Sequence, residues 1–145
     1  MAAQLMGAFG LTAAAAGAYY VATGRFDSTA LALWFANWAF AGNQIHFVQL
    51  RIRAARAQGW PEKFRLPQGR QFFVGQWLML AAVALAWRLR ALPPWATLAF
   101  LPVSVRGVFW FFRRPRPLRV HRLGLMELAH AVVFGALLVA GFLAN

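Results

Sequence analysis

The chain has 145 residues, 61% of them hydrophobic, and sets 15 lysines and arginines against 3 acids for a formal net charge of +12. That apolar content exceeds what a soluble domain of this size buries, which argues against a soluble enzyme or a nucleic-acid binder and for a polytopic membrane protein. The absence of cysteine excludes disulfides and thiolate metal sites.

A membrane-spanning helix needs roughly 20 apolar residues, and five stretches qualify. The first, Ala2 to Ala22, lacks the basic segment that precedes the apolar core of a secretory signal, so it is read as a span. Its Gly7, Gly10 and Gly17 are expected to permit close helix packing. The second, Thr29 to Leu50, should continue as a helix through Arg51 to Gln58, which contain no breaker, until Gly59 and Pro61 end it. Beyond it, Trp60, Phe64 and Leu66 alternate with charges, as in a segment lying on a membrane surface.

The third stretch is Gln71 to Trp87 and the fourth Pro94 to Phe112. Pro93 and Pro94 suit a helix start, where a missing amide hydrogen is harmless, and Pro102 should disturb the helix by withdrawing a hydrogen bond. The fifth runs from Leu123 to Leu143. No low-complexity linker or internal repeat divides the chain, so the expected architecture is all-α: one transmembrane helical domain over residues 1–145, a bundle of five spans.

Charge placement orients the bundle. Arg51, Arg53, Arg56, Lys63, Arg65 and Arg70 lie between the second and third spans. Arg113, Arg114, Arg116, Arg119 and Arg122 lie between the fourth and fifth. The opposite face receives only Arg25, Arg88 and Arg90, so the positive-inside rule puts the N-terminus in the cytoplasm and the C-terminus outside, in the cell's inner membrane. Trp87 and Trp95 at the outer edge, with Trp60 and Trp110 at the inner edge, fit two aromatic belts. Arg51, Arg53, Arg56, Arg113, Arg114 and Arg119 are expected to touch anionic head groups, each worth about 1 kcal/mol. Nucleic acid is not an expected partner.

Glu127 is the one acid inside any of the five stretches, and intramembrane ionisable groups are costly enough to be functional candidates. At about 1.5 Å of rise per residue, His46 lies about 7 Å from Arg51, Arg106 about 10 Å from Arg113, and Glu127 and His130 about 7 and 12 Å from Arg122. Asn43 reaches the level of His130. Polar groups at one depth on three helices should face a shared interior, because lipid cannot satisfy them. Asn43, Gln44, His46, Arg106, Glu127 and His130 therefore form the expected polar cluster or ligand cleft. Arg106 and Glu127 are its natural ion pair, since a guanidinium stays charged when buried and fits a carboxylate. Asn37 and Gln44, seven apart on one helix face, are expected to hydrogen-bond between helices.

Glu127 and His130 repeat the Glu-x-x-His spacing of di-iron bundles, but such sites need a second motif and further carboxylates that these spans lack. Haem between His46 and His130 is stereochemically conceivable. Interhelical hydrogen bonds are the simpler reading of two lone histidines, so no metal or cofactor is expected and haem is disfavoured. No serine triad or phosphate-cradling glycine loop is present.

The run Gly42-Asn43-Gln44-Ile45-His46-Phe47-Val48-Gln49-Leu50-Arg51-Ile52-Arg53 resembles a helix end of YwiC-like membrane proteins, in which a polar and aromatic stretch leads into bases. Leu101-Pro102-Val103-Ser104-Val105-Arg106 and Arg122-Leu123-Gly124-Leu125-Met126-Glu127 are similar to that family's closing region, and the resemblance covers about Trp34 to Phe142. That family in turn looks distantly like the UbiA-type prenyltransferases. The resemblance implies a lipid or isoprenoid ligand in a cleft open to the cytoplasm. The aspartate-rich motifs that hold magnesium on a diphosphate in those enzymes have no counterpart here, where Asn43, Gln44 and His46 stand instead. Two functions follow as expectations. One is a non-catalytic accessory subunit, or lipid- or quinone-binding protein, partnered by membrane lipids and by other membrane subunits or copies of itself. The alternative is a lipid- or isoprenoid-modifying enzyme completed by oligomerisation.

Overall fold

The computed structural model describes residues 2–56, 67–112 and 118–144, which are helical apart from short turns and contain no strand. Helix α1 spans Ala2–Thr23, α2 Ser28–Arg56, α3 Pro67–Arg88, α4 Pro94–Thr97, α5 Leu101–Phe112 and α6 Val120–Leu143. A 3-10 turn over Leu98–Phe100 joins α4 to α5, so Pro94 to Phe112 form one rod of 19 residues. Helices cover all five apolar stretches, while the expected surface segment with Trp60, Phe64 and Leu66 lies outside the described residues. Helix α2 does continue beyond Leu50 to Arg56, and α6 begins a turn earlier than the apolar pattern indicates.

Local chemistry sets these boundaries. Gly24 has a positive φ of 67° and its amide caps α1 by donating to the Tyr20 carbonyl at 2.7 Å, a conformation glycine adopts without steric cost. Asp27 then starts α2. Its carboxylate accepts from the amides of Thr29 at 2.9 Å and Ala30 at 3.3 Å, satisfying donors that have no partner within the helix. The Tyr19 hydroxyl donates to the same carboxylate at 3.1 Å. Pro94 is the first residue of α4. A 3-10 turn over Leu98–Phe100 precedes Pro102, which has no amide hydrogen to donate to the Leu98 carbonyl.

Neighbouring helices alternate in direction. Phe47 and Leu50 of α2, Phe72 of α3, Phe111 of α5 and Leu123 of α6 meet in one apolar cluster. The Gln49 amide donates to Gln4 Oε1, which places the start of α1 at that end too. This is the basic end, carrying Arg51, Arg53, Arg56, Arg70, Arg119 and Arg122. A second cluster toward the other end gathers Phe40, Val83, Phe100, Val103, Phe134 and Leu138. In it the Phe40 and Phe134 rings stack at 4.0 Å between centroids and Phe100 meets Phe134 edge-on at 5.2 Å, arrangements that add to simple burial. Helix α6 crosses α4 very closely at Gly141, where a Cβ would come within 2.5 Å of Ala96 Cα.

Among the described residues, three helices are long and apolar enough to cross a membrane: Ala3–Thr23, Pro94–Phe112 and Val120–Leu143. The α2 and α3 helices carry more polar side chains, and α2 has α1, α3 and α6 around it, so several of its polar groups face protein. Helix α1 packs chiefly on α2. Its Phe9 ring lies 4.6 Å from that of Trp34, and the indoles of Trp34 and Trp38 donate to the carbonyls of Phe9 and Leu5. Ala8 and Ala16 are the buried small residues of α1, whereas Gly7, Gly10 and Gly17 have open space beside them. This corrects the expectation for the α1 glycines: within α1 the buried small residues are alanines, not glycines.

Candidate functional site

The bundle interior holds a connected polar network on four helices. The Arg106 guanidinium on α5 pairs with Glu127 Oε2 on α6, and its Nη2 donates to Asn43 Oδ1 on α2 at 3.3 Å. Asn43 Nδ2 donates to Gln76 Oε1 on α3 at 2.6 Å, and Gln76 Nε2 donates to Ser104 Oγ on α5 at 3.0 Å. The Ser104 hydroxyl ends the chain on the Phe100 carbonyl at 2.8 Å. Every donor in this relay points away from the Arg106 charge, an order in which each bond polarises the next. Gln44 Nε2 adds a strut to the Glu127 carbonyl at 3.0 Å.

Burial explains why these groups pair. Asn43 and Gln76 are 7% and 4% exposed, and the side chains of Arg106 and Glu127 are 9% and 13% exposed, so unpaired polar atoms there would lose water without replacement. The Phe47 ring supports the cation, with the Arg106 guanidinium carbon 4.1 Å from its centroid. Arg51 lies farther out, 5.9 Å from the same ring and 6.0 Å from that of Trp110. Gly107 makes room for the network, because a Cβ there would sit 3.1 Å from the Phe72 ring and 3.3 Å from Gln76 Oε1. Among the described residues, two buried side-chain atoms have no hydrogen-bond partner, Arg106 Nε and Glu127 Oε1.

Of the residues singled out from sequence, Asn43, Gln44, Arg106 and Glu127 come together. His46 is half-buried against α3, with its Nδ1 3.2 Å from where a Cβ on Gly75 would lie. His130 Nδ1 faces the carbonyl of Met126 on its own helix at 2.6 Å. Neither histidine is part of the network. Asn37 also turns inward on its own helix and donates to the Leu33 carbonyl at 2.8 Å, not to another helix as expected. Among the described residues no group of three His, Cys, Asp or Glu side chains is placed to hold a metal ion. Arg53, Arg56 and Arg119 are exposed at the basic end; Arg113 and Arg114 lie outside the described residues, as do Trp60 and Lys63.

Sequence reading missed Gln76 and the part played by Ser104. Each is a lone neutral polar residue in an apolar stretch, without a charge or motif to mark it. The usable signal was depth, since Gln76 enters from the same basic end as Asn43. No known protein family, curated protein or solved structure matches this chain.

Proposed function

We propose that the chain is a five-span protein of the inner membrane, with its N-terminus and both basic connectors on the cytoplasmic side. It serves there as a non-catalytic subunit or lipid-binding component of a larger membrane assembly. The three strongly apolar helices support membrane insertion. The alternating directions of the helices and the gathering of bases at one end support the topology. The similarity of Gly42 to Arg53, Leu101 to Arg106 and Arg122 to Glu127 to YwiC-like membrane proteins is in keeping with this reading.

The observation that carries the non-catalytic reading is the commitment of Glu127, the one acid in the proposed spans, to Arg106. A carboxylate paired with a permanent cation between helices is committed to a structural contact, and the proposed spans hold no second acid for acid–base or metal chemistry. Its work is to join α5 to α6, while Asn43, Gln76 and Ser104 tie in α2 and α3. The unpartnered Arg106 Nε and Glu127 Oε1 leave one donor and one acceptor for a water or for the polar group of a lipid or quinone. Half-buried Arg51 flanks them from the cytoplasmic side, and head groups meet Arg53, Arg56 and Arg119.

Purification in mild detergent followed by mass spectrometry of bound proteins and lipids tests this reading. A stoichiometric membrane-protein partner, or a bound neutral lipid or quinone, is the expected result. Retention of an isoprenoid diphosphate that is lost in R51A/R53A would overturn it in favour of a prenyl-transferring enzyme.

A further inference from the structure

At the end of the bundle opposite the polar network, α2, α6 and the turn between α3 and α4 enclose a half-open crevice of about 830 Å³. That is within the roughly 300–1,000 Å³ of sites that hold small molecules. Leu33, Trp87, Val139 and Phe142 make its apolar walls, and Thr29 and Arg90 stand on its border. Arg90 is the only non-glycine among the described residues with a positive φ, 58°.

The backbone around Arg90 explains that conformation but not the residue. The Arg90 amide donates to the Trp87 carbonyl at 2.9 Å and the Ala91 amide to the Ala86 carbonyl at 2.8 Å. This is the closing pattern in which glycine is the ordinary occupant of the left-handed position. Here a long cationic side chain occupies it at a steric cost. A strained residue retained on the border of a cavity points to a use for its side chain. No acid among the described residues lines the crevice, and the nearest, Asp27, is occupied by Tyr19, Thr29 and Ala30.

We propose that this crevice seats one anionic phospholipid, its phosphate on Arg90 and an acyl chain along Leu33, Val139 and Phe142. The occupant follows from the setting, because an apolar recess at the edge of a membrane-embedded bundle opens onto acyl chains, and the cation at its rim selects an acidic head group. The site rests on the membrane placement proposed above, but lies at the opposite end from the polar network and does not depend on the role assigned to that network.

The variant R90G separates side chain from backbone, since glycine accepts the positive φ and removes the charge. Purified protein is titrated with phosphatidylglycerol and, separately, phosphatidylcholine in mixed micelles, and bound lipid is counted by native mass spectrometry. Wild type should prefer phosphatidylglycerol, and R90G should weaken that binding about fivefold, the equivalent of one lipid-facing cation, without melting lower. R25A removes a charge at the same end outside the crevice and should bind as wild type does. A phosphatidylglycerol with a photoreactive acyl chain should crosslink to Leu33, Val139 or Phe142. Unchanged preference in R90G, an equal loss in R25A, or crosslinks confined to the basic end would overturn the proposal.

Discussion

At the scale of single residues, the energetics turn on partners more than on charges. Replacing Glu127 by Gln leaves the Arg106 guanidinium buried without its counter-charge, a defect worth about 3–5 kcal/mol. The double variant R106M/E127Q removes both charges and should recover part of that loss. Thermal melts in detergent read both, and an undiminished melting temperature for E127Q would contradict the structural role of the pair. Asn43→Leu strands Gln76 Oε1 and one guanidinium nitrogen and should cost about 1–3 kcal/mol in the same assay. Asp27 governs pH dependence at the other end. Burial pushes its carboxyl up, but the hydrogen bonds from the Thr29 and Ala30 amides and from Tyr19 outweigh this and hold it below the usual carboxylate range. Its contribution is therefore complete above the unfolded value near about 3.9 and is lost as the pH falls through the lower folded value. D27N caps without titrating. A melt series from pH 6 down to pH 3 should show a smaller acid loss in D27N than in wild type.

At the scale of helices, close approach decides where a side chain is tolerated. Gly141 lies against the α4 backbone, with Ala96 Cα and the Trp95 carbonyl carbon 2.5 and 2.7 Å from a Cβ added there. Backbone cannot rotate out of the way, so G141A should part α4 from α6 and cost about 1–3 kcal/mol or more. Gly124 and Gly135 on the same helix have open space, and alanine there should be neutral or stabilise by up to about 1 kcal/mol through helix propensity. Equal effects at Gly141 and Gly135 in parallel melts would contradict this packing. The helices themselves were legible in sequence because apolar length, Pro93-Pro94 and the basic runs mark their ends. The Arg106 and Glu127 pair was legible from depth, since few acids exist to answer a buried arginine. What was not legible is rotation about the helix axis. Depth places His46 and His130 beside the network, yet their azimuth turns them to Gly75 and to the Met126 carbonyl. The same blindness hid the inward turn of Asn37 and the open face of the α1 glycines.

At the scale of the whole molecule, the bundle has two unlike ends. One end carries most of the bases of α2, α3 and α6 and, deeper in the bundle, the Arg106 network that ties four helices together. The other end carries few charges and an apolar crevice with one strained arginine at its rim. The proposed topology, five spans with the basic end inside, takes its orientation from that polarity. Every later inference about head groups and partners depends on that placement. Because the chain has no cysteine, single cysteines report it without a background. Intact cells carrying R56C or R25C, treated with a membrane-impermeant maleimide, give the most direct test. The account predicts labelling of R25C from outside, with R56C labelled only after the membrane is permeabilised. Labelling of R56C in intact cells, with R25C protected, would contradict it.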